Sequence, residues 1–321
     1  MIDTLIVVKD NNYGLTRDAS LLASAIRDAG VEAEIAKISD RSLIDHLFKR
    51  RRARRIIHLE RIFPRWLSAG EENLVVPNQE RFPERHVGRL RRIDAVLAKT
   101  IEASVAFAGY GVSVEHLGFS SQDRFDPSVK KNWNRFLHLA GGSTLKGTED
   151  VLSLWHEHPE WPELVLVQKQ ENAPRHVPEN VKLVTGYLSD ADLRRFQNEC
   201  GIHLCPSRSE GWGHNIVEGL SCSALLIATD GAPMNEHVRS QFGLLVKAAS
   251  TAKRHLGTNY FVDRNALAAA IETAIATPWS RKAAMGELAR RRFVDIDRGF
   301  RENVGALLGA NGQRSRSRPA S

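Results

Sequence analysis

Short apolar runs alternate with amphipathic stretches along the chain in two successive series. In the first series, buried-type strands are expected at residues 4–8, 31–38, 55–59, 74–77, 95–98 and 112–117. Between the first two, residues 17–29 place Leu21, Leu22, Ala25 and Ile26 at helical spacing, and Gly30 supplies the stop. Residues 118–134 are polar and break the rhythm. It restarts with strands at 136–140, 164–167, 181–185, 202–205, 224–228 and 244–246, and helices near 148–157, 190–199, 213–221 and 233–239. Ser189, three residues before Asp192, reads as a variant capping box opening the second of these helices. Helices at about 264–276 and 281–308 close the fold, with Pro278 as the break between them. Strands that alternate with helices predict parallel, doubly wound sheets. The expected organisation is two such domains facing a cleft, 1–120 and 135–280, joined by a linker at 121–134. The tail 309–321 is basic, poor in apolar residues and expected to be disordered.

A length of 321 residues allows one large or two ordinary domains. With 42% hydrophobic and 26% charged residues the chain reads as soluble and globular. No apolar run approaches the roughly 18 residues of a membrane span, and the opening MIDTLIVVKD reads as a first strand rather than a signal peptide. Three cysteines, Cys200, Cys205 and Cys222, fit a reducing cytoplasm and buried thiols rather than a zinc site. The net charge of +7 is uneven: Lys49–Arg55 forms one block and Arg314–Arg318 another. Read as a helix ending, 48–55 covers all faces with arginine. That argues for a solvated basic surface or peripheral contact with an anionic membrane on its cytoplasmic side. No aromatic interleaving accompanies it, so nucleic acid is not expected as a partner.

Ligands of such sheets bind beyond the carboxyl ends of the strands. The most informative stretch is 207–230, SRSEGWGHNIVEGLSCSALLIATD. Gly211 and Gly213 let the backbone turn sharply beside a ligand. The helix expected from Gly213 presents amide N–H groups and a positive dipole end to an anion. Glu210 stands at its mouth, and Glu218 about two turns in. The pattern suits a phosphorylated sugar; a strand-loop-helix unit with two solvent-facing glutamates fits it as well. Residues 141–148, GGSTLKGT, form a glycine-rich turn carrying Lys146 into a helix, a phosphate cradle in physical terms but not a Walker A motif.

The run Glu210-Gly211-Trp212-Gly213-His214-Asn215-Ile216-Val217-Glu218-Gly219 resembles the E-x7-E motif of retaining glycosyltransferases of the GT-B fold, most closely glycosyltransferase family 4. That resemblance implies two Rossmann-like domains, with the last helix crossing back to the first domain. It implies a retaining transfer of a sugar from a nucleoside-diphosphate sugar to a hydroxyl of a glycan, lipid or small molecule. No metal and no cofactor are implied. Lys146 and Glu210 would serve catalysis: Lys146 neutralises the diphosphate, and Glu210 holds the donor sugar rather than acting as a nucleophile. Glu218 would meet the ribose, and the backbone at Gly141, Gly142, Gly211, Trp212, Gly213, His214 and Asn215 the phosphates. Gly186, Tyr187 and Leu188 match the turn that flanks the base. The chain departs from the family twice. Gly142 stands where the family has an Arg, and no His follows the fourth strand. Asn78, Gln79 and Glu80 occupy that place and, with Asn12 and Gly14, are the acceptor-side candidates. His58 reads as a core histidine. These departures keep open a catalytically silent sugar-binding or scaffold protein; the fold also hosts nucleotide-sugar epimerases and phosphorylases.

Overall fold

The computed structural model describes residues 2–9, 14–186 and 188–309. It divides into two compact units. The first runs to Ser120, takes in Arg254–Gly257 and resumes at Ile296; the second is Ser121–Lys253 and Thr258–Asp295. Asn12, Tyr187 and residues 310–321 of the basic tail lie outside the described residues.

The first unit is a six-stranded sheet of β1 (Ile2–Val8), β2 (Ala33–Lys37), β3 (Ala53–Glu60), β4 (Glu72–Pro77), β5 (Ala95–Ala98) and β6 (Ser113–His116). The order is β2-β1-β3-β4-β5-β6 and every pairing is parallel. The central strands are buried along nearly their whole length, as parallel strands covered on both faces must be. The helix α1 (Gly14–Asp28) buries Leu15, Ala19, Leu22, Ala23 and Ile26, and Gly30 with φ +79° ends it. His58 is indeed a core histidine: its Nδ1 accepts from the Phe63 N–H at 3.2 Å, and burial lowers its pKa to about 4.

The basic run departs from expectation. The helix α2 (Leu43–Leu47), capped by Ser42, ends before the run begins, and the arginines occupy a connection and the start of β3. Several have defined partners: Arg51 with Glu71, Arg54 with Asp3, and the buried Arg55 with Glu72 and the Leu308 carbonyl. A strand alternates its side chains, so the run does not wrap all faces of a helix.

The second unit is a seven-stranded sheet, ordered β13-β12-β11-β10-β7-β8-β9. Its strands are β7 (Asn132–Gly141), β8 (Leu164–Gln168), β9 (Val181–Val184), β10 (Cys200–Cys205), β11 (Leu225–Asp230), β12 (Gly243–Arg254) and β13 (Gly257–Val262). The pairings from β9 through β12 are parallel. The helices are α4 (Thr148–Glu157), α5 (Asp190–Glu199), α6 (His214–Ser221), α7 (Met234–His237), α8 (Arg264–Ala276) and the first part of α9 (Trp279–Leu308), whose residues from Ile296 belong to the first unit, as does α3 (Ile101–Ala108). The Ser189 hydroxyl caps α5 by accepting from the Asp192 N–H at 3.1 Å. One face of the sheet is covered by Phe136, Trp155, Trp161, Leu204 and Ile271. Among the described residues no helix is long and apolar enough to cross a membrane.

Three further expectations change here. A sixth strand was expected at 244–246; β12 is far longer and turns back into a seventh, β13. Its polar, outward-facing second half carries no apolar signal. The 233–239 helix is a single turn. The polar stretch 121–134 is no spacer. Arg124 is buried, and its guanidinium binds Gln197 and Asp190 of α5, while β7 starts at Asn132.

The helix α6 lies very close to the sheet. A Cβ on Gly219 would stand 2.7 Å from Leu226 Cδ2 and 2.9 Å from His203 Nδ1. His203 cannot yield easily, because its Nε2 donates to the Gln197 carbonyl at 2.9 Å. Gly219→Ala is therefore expected to cost about 1–3 kcal/mol, the scale of overpacking. Calorimetric melting checks this; an unchanged Tm would show that α6 can lift from the sheet without cost.

Candidate functional site

The order of the second sheet sets the site. From β7 the chain goes to β8 and β9 on one side, then returns to β10 on the other. The switch point lies between β7 and β10, where a doubly wound sheet opens a crevice at its carboxyl end. The loop after β7 carries Lys146 and the loop after β10 carries Glu210, so strand order brings together residues 64 apart. The loops are laced to each other. The Arg208 N–H donates to the Leu145 carbonyl at 2.7 Å. Gly147, at φ +68°, approaches so closely that a Cβ would meet the Pro206 carbonyl oxygen at 2.4 Å. His138 on β7 locks the start of α4, its Nδ1 donating to the Leu204 carbonyl and its Nε2 accepting from the Thr148 hydroxyl, both at 2.9 Å.

At this crevice the Lys146 ammonium lies 2.5 Å from Glu210 Oε1 and 2.9 Å from Asn215 Oδ1. All three side chains are mostly buried. Gly213, at φ +99°, is the cap position of α6 and brings no side chain to its N-terminal amides. Trp212 is buried against His237 at 4.3 Å between ring centroids. The His237 Nε2 donates to the Trp212 carbonyl at 2.6 Å. Trp212 Nε1 donates to the Ser121 hydroxyl, which stands 2.8 Å from His214 Nδ1. A lysine, a carboxylate and the amide end of a helix at one crevice can bind an anion beside a polyol.

Glu218 is the fifth residue of α6, one turn in rather than two, and its carboxylate is buried. Gln197 Nε2 donates to its Oε2 at 2.8 Å, while Gln197 Oε1 accepts from Arg124 Nε at 2.8 Å. This Arg124–Gln197–Glu218 chain, and Ser121 as the prop of Trp212 and His214, were not foreseen as site residues. The one legible signal was Gln197 standing four residues after Leu193, on the face α5 buries. Gly141 ends β7 and Gly142 opens the turn after it, and Gly186 and Leu188 follow β9. In the first unit, Gly14 opens α1, Asn78 Oδ1 accepts from Lys99 Nζ at 3.0 Å, and the buried Gln79 donates to Glu102 Oε2 at 2.9 Å. Glu80 is also buried. The three cysteines are buried thiols, each pushed up to about 12 by burial.

Among the solved structures that share this architecture are glycosyltransferases. A glycosyltransferase from Rickettsia africae superposes with a TM-score of 0.73 at 16% identity, over 97% of this chain and 99% of that one. Sucrose-phosphate synthase from Thermosynechococcus elongatus does so at 0.70 and 13%, over 96% and 98%. Anabaena Alr3699/HepE, solved with UDP and glucose, does so at 0.68 and 14%, over 96% and 100%. These likenesses define the class, the two-domain parallel-sheet fold of GT-B glycosyltransferases. No curated protein matches the sequence. The model of the family "Glycosyl transferases group 1" matches residues 122–292, and the chain belongs to that family.

The second unit also holds three buried, neutral histidines. Burial lowers His138 and His237 to about 4 and His203 to about 3. An unfolded histidine titrates near 6.5. Stability is thus complete above that pH and is lost as pH falls from about 6.5 towards 4, by at most about 1.4 kcal/mol per pH unit for each group. Melting temperature is expected to drop across this window, and His138→Gln to flatten the slope. A parallel pH profile in the variant would mean that His138 does not contribute.

Proposed function

We propose that this protein is a retaining family 4 glycosyltransferase, moving a sugar from a nucleoside-diphosphate sugar to a hydroxyl acceptor. The observation that carries this is the meeting of Lys146, Glu210, Asn215 and the N-terminal end of α6 at the β7/β10 switch point. In this reading Lys146 and the α6 amides hold the diphosphate and stabilise the charge that develops as it leaves. Glu210 takes the sugar hydroxyls, Glu218 the ribose, and 186–188 flank the base. Protein cations and amides, rather than a metal ion, meet the diphosphate. The Anabaena neighbour solved with UDP and glucose supports a donor of this kind.

A thermal-shift panel of UDP, GDP, ADP, TDP and their sugar conjugates tests it. A ligand at 100 times its Kd adds about 2.7 kcal/mol, a shift of several degrees. Lys146→Ala is expected to weaken the responding diphosphate by about 1.5–3 kcal/mol, the scale of a charge-assisted contact. No response from a folded sample would favour the silent sugar-binding alternative. Equal affinity in the variant would remove Lys146 from the phosphate site.

We also propose that the chain docks on the cytoplasmic face of an anionic membrane through α2 and the basic residues after it. Leu43, Ile44, Leu47 and Phe48 are 58%, 58%, 76% and 74% exposed. An apolar cluster this open, directly followed by Lys49, Arg50 and Arg51, suits insertion at a charged lipid surface. Sedimentation with phosphatidylglycerol vesicles is expected, with little on phosphatidylcholine. Leu47→Glu with Phe48→Glu should abolish it. Binding that survives in this variant would place the contact elsewhere.

A further inference from the structure

We propose that the first unit binds the phosphate group of a phosphorylated acceptor at a basic cluster formed by Arg61, Arg85, His86 and Arg89. The assignment to an acceptor rests on the transfer reading above; the cluster does not. Ligands of a parallel sheet gather beyond its carboxyl end, and strand order puts the cluster there. Glu60, the last residue of β3, is paired with Pro77, the last residue of β4. Arg61 leaves β3 at this end, and the chain that leaves β4 soon enters a 3-10 helix, Glu84–Arg92. Such a helix sets side chains three apart on one face. His86 and Arg89 therefore share a face, and Arg85 adjoins them. The His86 ring is held edge-on against Phe82, 6.3 Å between centroids, and Phe82 packs in turn on Phe107 at 5.1 Å.

Two features point to an anion. His86 is only 9% exposed, yet its Nδ1 has no hydrogen-bond partner among the described residues. Buried polar atoms are nearly always answered, which marks this ring as one that a ligand completes. The second feature is charge. Residues 79–92 hold five arginines and two glutamates. Arg61 Nε donates to Glu60 at 3.1 Å, and Arg81 lies 3.7 Å from Glu80. Arg85 and Arg89 have no acidic partner among the described residues. Arg85 is exposed and Arg89 half-buried, so an anion reaches both from solvent.

Burial, then the charges of Arg89, Arg85 and Arg61, holds the His86 pKa below its ordinary value, so three guanidiniums act on one ring. Like charges gathered this way repel, and a phosphate set among them replaces repulsion with charge-assisted hydrogen bonds. Guanidinium forks match the oxygens of a phosphate monoester and its charge of about −1.5 to −2. A carboxylate brings fewer oxygens and less charge. The group can arrive on a sugar phosphate or on a lipid headgroup.

The test titrates glucose 6-phosphate and glucose, without nucleotide, into wild type, Arg85→Ala/Arg89→Ala, Arg85→Lys/Arg89→Lys and the control Arg91→Ala/Arg92→Ala. The control removes the same charge from the exposed far end of the same helix. A second arm compares sedimentation with phosphatidylcholine vesicles carrying phosphatidate or phosphatidylglycerol. Wild type is expected to bind glucose 6-phosphate and not glucose, or to favour phosphatidate over phosphatidylglycerol; the first puts the phosphate on a soluble acceptor, the second on a lipid. The alanine pair should weaken this binding about ten- to hundredfold and the control less than about threefold, while the lysine pair returns to within about tenfold of wild type. Unchanged melting temperatures confirm folding. Equal losses in the alanine pair and the control reduce the effect to net charge and overturn the site, as does a wild type that binds neither phosphate probe. A nucleotide response in the thermal-shift panel would then leave the transfer reading standing. Phosphate binding in a protein that answers no nucleotide overturns the assignment to an acceptor.

Discussion

The contact on which the second unit depends is the near touching of two loops, where Gly147 passes the Pro206 carbonyl with no space for a side chain. It follows from β7 and β10 being direct neighbours. Because they are parallel, their carboxyl ends open at one place, and whatever the two loops carry must meet there. Lys146 reaches Glu210 for that reason. The glycine with positive φ lets α4 start at the contact rather than beyond it.

Around this contact, buried neutral histidines act as fasteners. His138 joins β7 to β10 and to α4, His203 holds the end of α5, and His237 holds Trp212 from below. Each is desolvated and finds backbone carbonyls as partners, the arrangement that buried polar groups require. Their cost is sensitivity to acid, since each ring must be protonated once the chain unfolds. The site charges sit outside this layer, on loops and a helix end whose positions the fasteners fix.

Much of the architecture was legible from periodicity. The strand and helix series, the Ser189 cap and the glycine-rich turns are local, and local chemistry writes them into the chain. Failures were of two kinds. The outer half of β12 is polar and exposed, so that part of the ribbon leaves no apolar trace. The stretch 121–134 looked like a spacer because it is polar, yet Arg124 is buried there among Gln197 and Asp190. A buried arginine satisfied by distant partners has the same sequence signature as an exposed one.

By itself, then, the sequence marked the stretches that make up the proposed site: the two loops with Lys146 and Glu210, the start of α6, and Glu218 within it. Spacing within a loop or a turn of helix is short-range and survives in one dimension. Only the tertiary structure decided how these groups are answered. It set Lys146 against Glu210 and Asn215 and placed the Arg124–Gln197 relay behind Glu218. Those relations join residues far apart in the chain, and strand order alone makes them neighbours.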